Sequence, residues 1–288
     1  MFCTPLDDAP FGARLHLDPE RPLDASARDG LRAAFAEHGL LVVREGPITR
    51  ERQIALLAAL GRIEPDETGA PMQMEVTNQH AETTAPPGEL VFHNDYAYDP
   101  DPIPGISMYG ALVDGDVTPT CFASASRVLE RLPADLVDRL RGLEASHACF
   151  LARPDGSGER AIRPEPLVPR GEPGWGPEHY WATHPVIIRN AAGVEALFVC
   201  LQHTDRILGL PREESDALLA RLYAELYAAD RVYAHRWRPH DLVIWDNLAV
   251  QHARPAPNDR PRTLRRFHLA NRDLTADYLR IARERGFV

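Results

Sequence analysis

The sequence predicts a mostly β fold of the α+β class, a double-sheet jelly roll with flanking helices packed on one outer face. Three observations carry this reading. At least seven short apolar or alternating runs are bounded by Gly, Pro, Asn and Asp, and most follow one another in hairpin order. Helical periodicity is confined to a few segments that do not alternate regularly with strands, which argues against a parallel doubly wound sheet and leaves the jelly roll as the better fit. No shift in composition divides the 288 residues, so residues 1–288 read as one domain, long enough to bury a core without disulfide or metal staples.

Taken in order, residues 25–38 (ASARDGLRAAFAEH) place Leu31, Ala34 and Phe35 on one helical face, and Gly39 terminates the helix. A short buried strand, residues 40–43, follows. Thr49 caps a second amphipathic helix through Ile54, Leu56, Leu57 and Leu60, which Gly61 ends. Residues 64–89 are polar and interrupted by Pro and Gly, with one strand at 72–77; loops of that length inside a domain are usually functional or mobile. Leu90 to Phe92 then leads into His93-Asn94-Asp95-Tyr96, and strand alternation puts His93 and Asp95 on one face.

Further strands are expected at 105–113 and 118–123, then a helix capped by Ser124 or Ser126 and ending near Leu132, a short helix at 134–141 and a strand at 143–151. Residues 153–179 are rich in Gly, Pro and charge, and read as a surface loop or lid insertion. A hairpin of 181–189 and 195–201 turns at Asn190 to Gly193. Pro211 opens a helix that buries Leu218, Leu219, Leu222 and Leu226. Strands at 232–237 and 242–245, a turn at Asp246-Asn247, a β-leaning run at 267–269 and a terminal helix at 275–286 complete the chain.

Bulk chemistry narrows the function. A composition with 44% hydrophobic and 26% charged residues is that of an ordinary soluble globular protein. All 32 basic residues are arginine against 42 acidic ones, a net charge of −10 with no basic run, so the footprint of a nucleic-acid binder is missing and a small-molecule partner is expected. The absence of lysine removes Schiff-base mechanisms. No apolar run approaches the roughly 20 residues that span a bilayer, and the opening residues lack the charged and apolar regions of a secretory signal, so a cytoplasmic protein without a membrane partner is expected. Cys3, Cys121, Cys149 and Cys200 lie too far apart for a C-x-x-C site and are read as reduced, packed thiols.

Histidine and carboxylate spacing suggests a metal. His-x-Asp occurs three times, at His16, His93 and His203, so the tripeptide alone says little. His16 precedes the first helix with no strand partner in view. His93-x-Asp95 closes a strand, and His252 follows another strand about 160 residues later. Two imidazoles and one carboxylate on one face of an ion leave positions open, as in non-heme Fe(II) oxygenases; zinc hydrolases also keep an open site. Downstream of His252, Arg262, Arg265 and Arg266 resemble an anion anchor on a neighbouring strand of the same sheet.

These motifs, together with Thr120 in TCFAS, the segment LFVCLQHTDRILGLPREESDALLARLY and the run RWRPHDLVIWDNLAVQH, resemble the TauD/TfdA family of Fe(II)- and 2-oxoglutarate-dependent dioxygenases from about residue 89 to 269. The resemblance implies a double-stranded β-helix that uses Fe(II), 2-oxoglutarate and O2. It implies His93, Asp95 and His252 as iron ligands, Thr120 and Arg266 as anchors of the 2-oxoglutarate tail, and Arg262 as a contact to an anionic substrate. Thr118 stands as an alternative to Thr120, because the family's Gly-Gly pair before the threonine is missing, and Arg265 as an alternative to Arg266. Asn78, Tyr96 and His203 are the further pocket candidates. The implied reaction is oxidation, by default hydroxylation, of a small and in the Arg262 reading anionic metabolite, with release of succinate and CO2. Homo-oligomers are common in the family. Two rivals remain: a divalent-metal hydrolase or isomerase at the same three ligands, and a non-catalytic jelly-roll binding module.

Overall fold

A computed structural model describes residues 1–7, 9–18, 21–80, 83–85, 88–148 and 181–270. The expected insertion at 153–179 and the terminal helix at 275–286 lie outside them, as does Cys149; Cys3, Cys121 and Cys200 are free. The described chain is mostly β, with four α-helices.

The larger sheet has seven strands. Its spatial order is β1 (Phe2–Pro5), β2 (Ala13–His16), β3 (Leu40–Val43), β14 (Leu242–Asp246), β6 (Gly105–Val113), β16 (Arg262–His268) and β4 (Met74–Thr77). All pairs are antiparallel except β2 with β3. A four-stranded antiparallel sheet follows the order β13 (Val232–His235), β7 (Thr120–Ser124), β15 (Val250–Arg254) and β5 (Leu90–His93).

One core cluster draws on both sheets, with Leu40, Val42, Met108, Val243, Trp245 and Leu264 from the larger and Phe122, Tyr233 and Val250 from the smaller. The opposite face of the larger sheet gives Leu41, Val43, Tyr109, Leu242, Ile244 and Phe267 to a second cluster under two helices, α1 (Ala25–His38) and α2 (Arg50–Leu60). Strands β3 and β14 are therefore covered on both faces, which is why they read as unbroken apolar runs.

Caps fix both helices. Asp24 accepts from Ala27 N–H and Gly39 ends α1 in the left-handed region at φ 65°. Thr49 accepts from Arg52 N–H at the start of α2.

The other two helices do not join that outer face as expected. α3 (Ala134–Arg141) and α4 (Arg212–Leu226) build a separate cluster with Val186, Ile187, Leu197, Ile207 and Ala249. The expected helix after Ser124 is a series of turns: Ser124 Oγ accepts from Arg127 N–H at 3.2 Å, and Pro133 stops the chain from continuing. The 181–201 hairpin is shorter than its apolar length suggests. Only β10 (Ile187–Arg189) and β11 (Glu195–Leu197) pair, because β9 (Trp181–Pro185) joins β8 (Glu144–Ala148) instead. On the other edge of β8 lies β12 (Thr204–Ile207), a strand the polar sequence TDRI does not announce. His16, expected to lack a strand partner, sits on β2 opposite Phe2, with Nδ1 2.9 Å from Glu45.

Candidate metal centre and cavity

Strands β5 and β15 are neighbours, and their register puts His93 directly opposite His252, with ring centroids 4.2 Å apart. His93 ends β5. Asp95 lies in the turn beyond it rather than on the strand, so strand alternation is not what brings it to the same side. The turn is held by Asn247, which is fully buried. Its side chain accepts from Asp95 N–H at 2.9 Å and donates to the carbonyls of Asp95 and Ile103, both at 2.9 Å. Asn94 returns a bond to Asn247 O at 2.6 Å. The Asp-Asn turn visible in the sequence thus clamps the backbone of the acidic residue.

Asp95 Oδ1 lies 3.4 Å from His93 Nε2 and Oδ2 lies 3.9 Å from His252 Nε2. One donor atom from each of the three residues falls within 4.8 Å of the others. Adjacent donors that bind an ion at about 2.0–2.2 Å stand about 3 Å apart, and the two carboxylate–imidazole distances of 3.4 and 3.9 Å lie within about 1 Å of that. His93 Nδ1 donates to Val91 O at 2.7 Å, which fixes the tautomer and leaves Nε2 as an acceptor toward the centre, the usual support for a metal-bound imidazole. Burial lowers the pKa of both imidazoles and keeps them in the neutral, ligating form. The donor set fits Fe(II). Replacing Asn247 with Ala frees the Asp95 turn and is expected to weaken Fe(II) binding about 10- to 100-fold, read as the anaerobic Fe(II) dissociation constant, with His93 and His252 untouched.

The three residues open on a cavity of about 340 Å³. Thr120, Tyr96, His203, Arg262 and Arg266 line it as well. His252 pairs with Phe122 across β15 and β7, so Thr120, two residues along, shares that face about 7 Å away. Thr120 Oγ accepts from Trp237 Nε1 at 2.9 Å, which leaves its own proton for an acceptor in the cavity. Thr118 spends its hydroxyl on Pro257 O at 2.7 Å and does not line the cavity.

The arginines of β16 alternate. Arg265 points to the helical side, bonded to Gln53 and to Ile48 O, both at 2.8 Å, while Arg262 and Arg266 face the cavity. β16 belongs to the larger sheet and β15 to the smaller, so His252 and these arginines meet across the two sheets, not on neighbouring strands of one.

Arg262 donates to Thr118 O at 2.7 Å, and its Nε is buried with no hydrogen-bond partner among the described residues. Burial, with Arg254 nearby, lowers its pKa to about 10. Arg266 lies against the Asp95 carboxylate. With Arg254 also on the wall and Asp95 the one acidic side chain lining it among the described residues, the cavity attracts anions.

The remaining candidates divide. His203 is buried, donates from Nδ1 to Ala148 O at 3.1 Å and stands edge-on to His93, so the histidine next to the metal motif does reach the cavity. Tyr96 reaches it through a left-handed backbone, φ 57°, unusual for a side chain of that size. Asn78 does not line the cavity. It is exposed and staples the loop before β16, donating to Asn258 O and Arg260 O and accepting from Arg262 N–H at 3.0 Å.

Sequence reasoning missed Asn247 and also His268, which lines the cavity from the end of β16 with Nδ1 3.1 Å from Glu64. The alternation Arg262, Leu264, Arg266, His268 along one face was the available signal.

Burial, followed by the charge of Arg266, lowers the His268 pKa from 6.5 to about 4. The unfolded chain therefore binds this proton first as pH falls. The folded state loses roughly 1.4 kcal/mol per pH unit from this group below pH 6.5, and the loss levels off near the folded value. Urea midpoints between pH 7 and 5 are expected to fall less steeply in His268→Gln than in the wild type.

A family model described as "Taurine catabolism dioxygenase TauD, TfdA family" matches residues 3–268. The (S)-phenoxypropionate/alpha-ketoglutarate-dioxygenase of Sphingobium herbicidovorans is 28% identical, with 85% of this chain and 86% of that protein covered. The alpha-ketoglutarate-dependent 2,4-dichlorophenoxyacetate dioxygenase of Cupriavidus pinatubonensis is 27% identical, with 75% of this chain and 78% of the relative covered. A solved structure of a taurine dioxygenase from Burkholderia xenovorans shares the fold, with TM-score 0.72 at 22% identity over 93% of this chain and 90% of that one.

Proposed function

The chain belongs to the TauD/TfdA family of Fe(II)- and 2-oxoglutarate-dependent dioxygenases, and from that premise we propose that it hydroxylates a C–H bond of a small anionic metabolite, within one double-stranded β-helix domain. The observation that carries the anionic substrate is the second buried arginine, Arg266, which stands beside the metal ligands in addition to Arg262. Relatives whose printed substrates are carboxylic acids, phenoxypropionate and 2,4-dichlorophenoxyacetate, support it.

In this reading His93, Asp95 and His252 hold iron, which when bound supplies O2 activation coupled to conversion of 2-oxoglutarate into succinate and CO2. The protein's own residues set the direction of the two acids. Arg262 and Thr120 stand at one end of the cavity, about two strand residues beyond the metal, and receive the distal carboxylate of 2-oxoglutarate. A buried guanidinium whose Nε–H has no hydrogen-bond partner among the described residues calls for a carboxylate, and Thr120 adds the proton that Trp237 leaves free. Arg266, at the level of Asp95, receives the anionic group of the substrate. The two arginines thereby exchange the parts that the sequence resemblance gives them. Tyr96 and His203 line the substrate side.

A metal hydrolase would have no use for Arg262 and Thr120 on the wall of the cavity that the ligands share, nor would a binding module. Anaerobic addition of Fe(II) and 2-oxoglutarate is expected to raise a weak visible charge-transfer band. Under labelled O2, an acid substrate is expected to gain one oxygen atom while succinate accumulates. A protein that gives neither band nor succinate is not this enzyme.

A further inference from the structure

One buried pair at the cavity has no part in holding iron or 2-oxoglutarate. His268 and Glu64 are 1% and 2% exposed, and Glu64 is fixed by its own backbone, with N–H to His268 O at 3.0 Å and its carbonyl accepting from Met72 N–H at 2.9 Å. With the Glu64 carboxylate as the acceptor, His268 Nδ1 carries the proton and Nε2 presents a lone pair. That Nε2 is buried without a hydrogen-bond partner among the described residues, on a side chain that lines the cavity. A buried acceptor without a partner calls for a donor, and on the wall of a cavity a ligand can bring it. Arg266 faces the same cavity two residues earlier on the strand. The Tyr96 ring, carried by its left-handed backbone, stands edge-on to His268 with centroids 5.8 Å apart. Backbone conformations of that kind concentrate at ligand sites.

We propose that His268, oriented by Glu64, is a specificity-determining residue that accepts a hydrogen bond from a donor on the carbon next to the substrate's anionic group. The substrate class is then 2-hydroxy, 2-amino or 2-amido acids rather than plain or ether acids. An ether oxygen at that carbon would set one lone pair against another. The inference rests on the reading that Arg266 holds the substrate anion.

Two matched probe pairs test it: 2-anilinopropionate against 2-phenoxypropionate, which differ by N–H for O, and lactate against 2-methoxypropionate. Each is titrated anaerobically into the Fe(II)·2-oxoglutarate protein, and its dissociation constant is read from the change in the visible band. Wild type is expected to prefer the donor of at least one pair by about tenfold, the scale of one buried hydrogen bond. His268→Leu is expected to bring that ratio to within about twofold without loss of the band, whereas His268→Gln, whose amide oxygen still accepts, retains part of it. Glu64→Gln lowers the ratio partway by loosening the ring. A merely structural His268 would weaken both members of a pair equally.

The wild-type preference needs no variant, so it decides even if a variant fails to fold. A band that forms with equal or absent binding of both members in both pairs overturns this inference and leaves the proposed function standing. So does an unchanged preference in His268→Leu. Absence of the band in wild type overturns both.

Discussion

His252→Ala is expected to lose the Fe(II)·2-oxoglutarate charge-transfer band and to lower succinate formation at least a thousandfold, while keeping a cooperative thermal transition. The ring is buried among Phe122, Trp245 and His93, and its removal opens a cavity worth a few kcal/mol of stability. The functional loss is larger because two ligands remain and iron is no longer held on three sides. His252→Gln, close in volume, separates the effects: stability recovers and the band does not. A band of wild-type intensity in either variant would remove His252 from the ligand set.

The second large effect divides the two arginines. Arg262→Gln is expected to raise the KM for 2-oxoglutarate about 30- to 100-fold, the cost of losing a buried charged hydrogen-bond partner of a carboxylate, and to leave the substrate's dissociation constant within a few-fold. Arg266→Gln is expected to do the reverse. It weakens the acid substrate by a similar factor and uncouples succinate formation from product, with 2-oxoglutarate binding within a few-fold of wild type. Arg265→Gln lowers the melting temperature and neither affinity, since its guanidinium joins Gln53 and Ile48 O under the helices. Measuring both affinities in both cavity variants decides the assignment; if Arg266→Gln alone loses 2-oxoglutarate, the exchange of parts proposed above is wrong.

Local chemistry explains which features were legible in the chain. α1 and α2 match their expected ends because Asp24, Thr49, Gly39 and Gly61 act within a few residues of backbone. The apolar runs of β3 and β14 were visible because both faces of the larger sheet are covered. Polar strands were not: β12 reads TDRI and is a strand only because β8 lies alongside it. The opposite error came at Ser124, where a good cap and a helical composition lead only into turns that end at Pro133.

Residue types and their order along the chain were enough to name His93, Asp95 and His252 as a candidate metal set, since few side chains ligate and their spacing repeats in a family. They were enough as well to exclude lysine chemistry and to suggest an anion anchor among Arg262, Arg265 and Arg266. Direction could not be read from them. Whether an arginine stands at the metal or at the far end of the keto acid depends on how β16 crosses β15 from the other sheet, a distance set by the packing of Trp245, Met108 and Phe122 between the sheets. The same holds for the pairing of Glu64 with His268 and for the Asn247 clamp on Asp95, contacts 204 and 152 residues apart. Such contacts form only when the core closes, because hydrogen-bond partners at that separation are chosen by burial and register rather than by any neighbour in the chain.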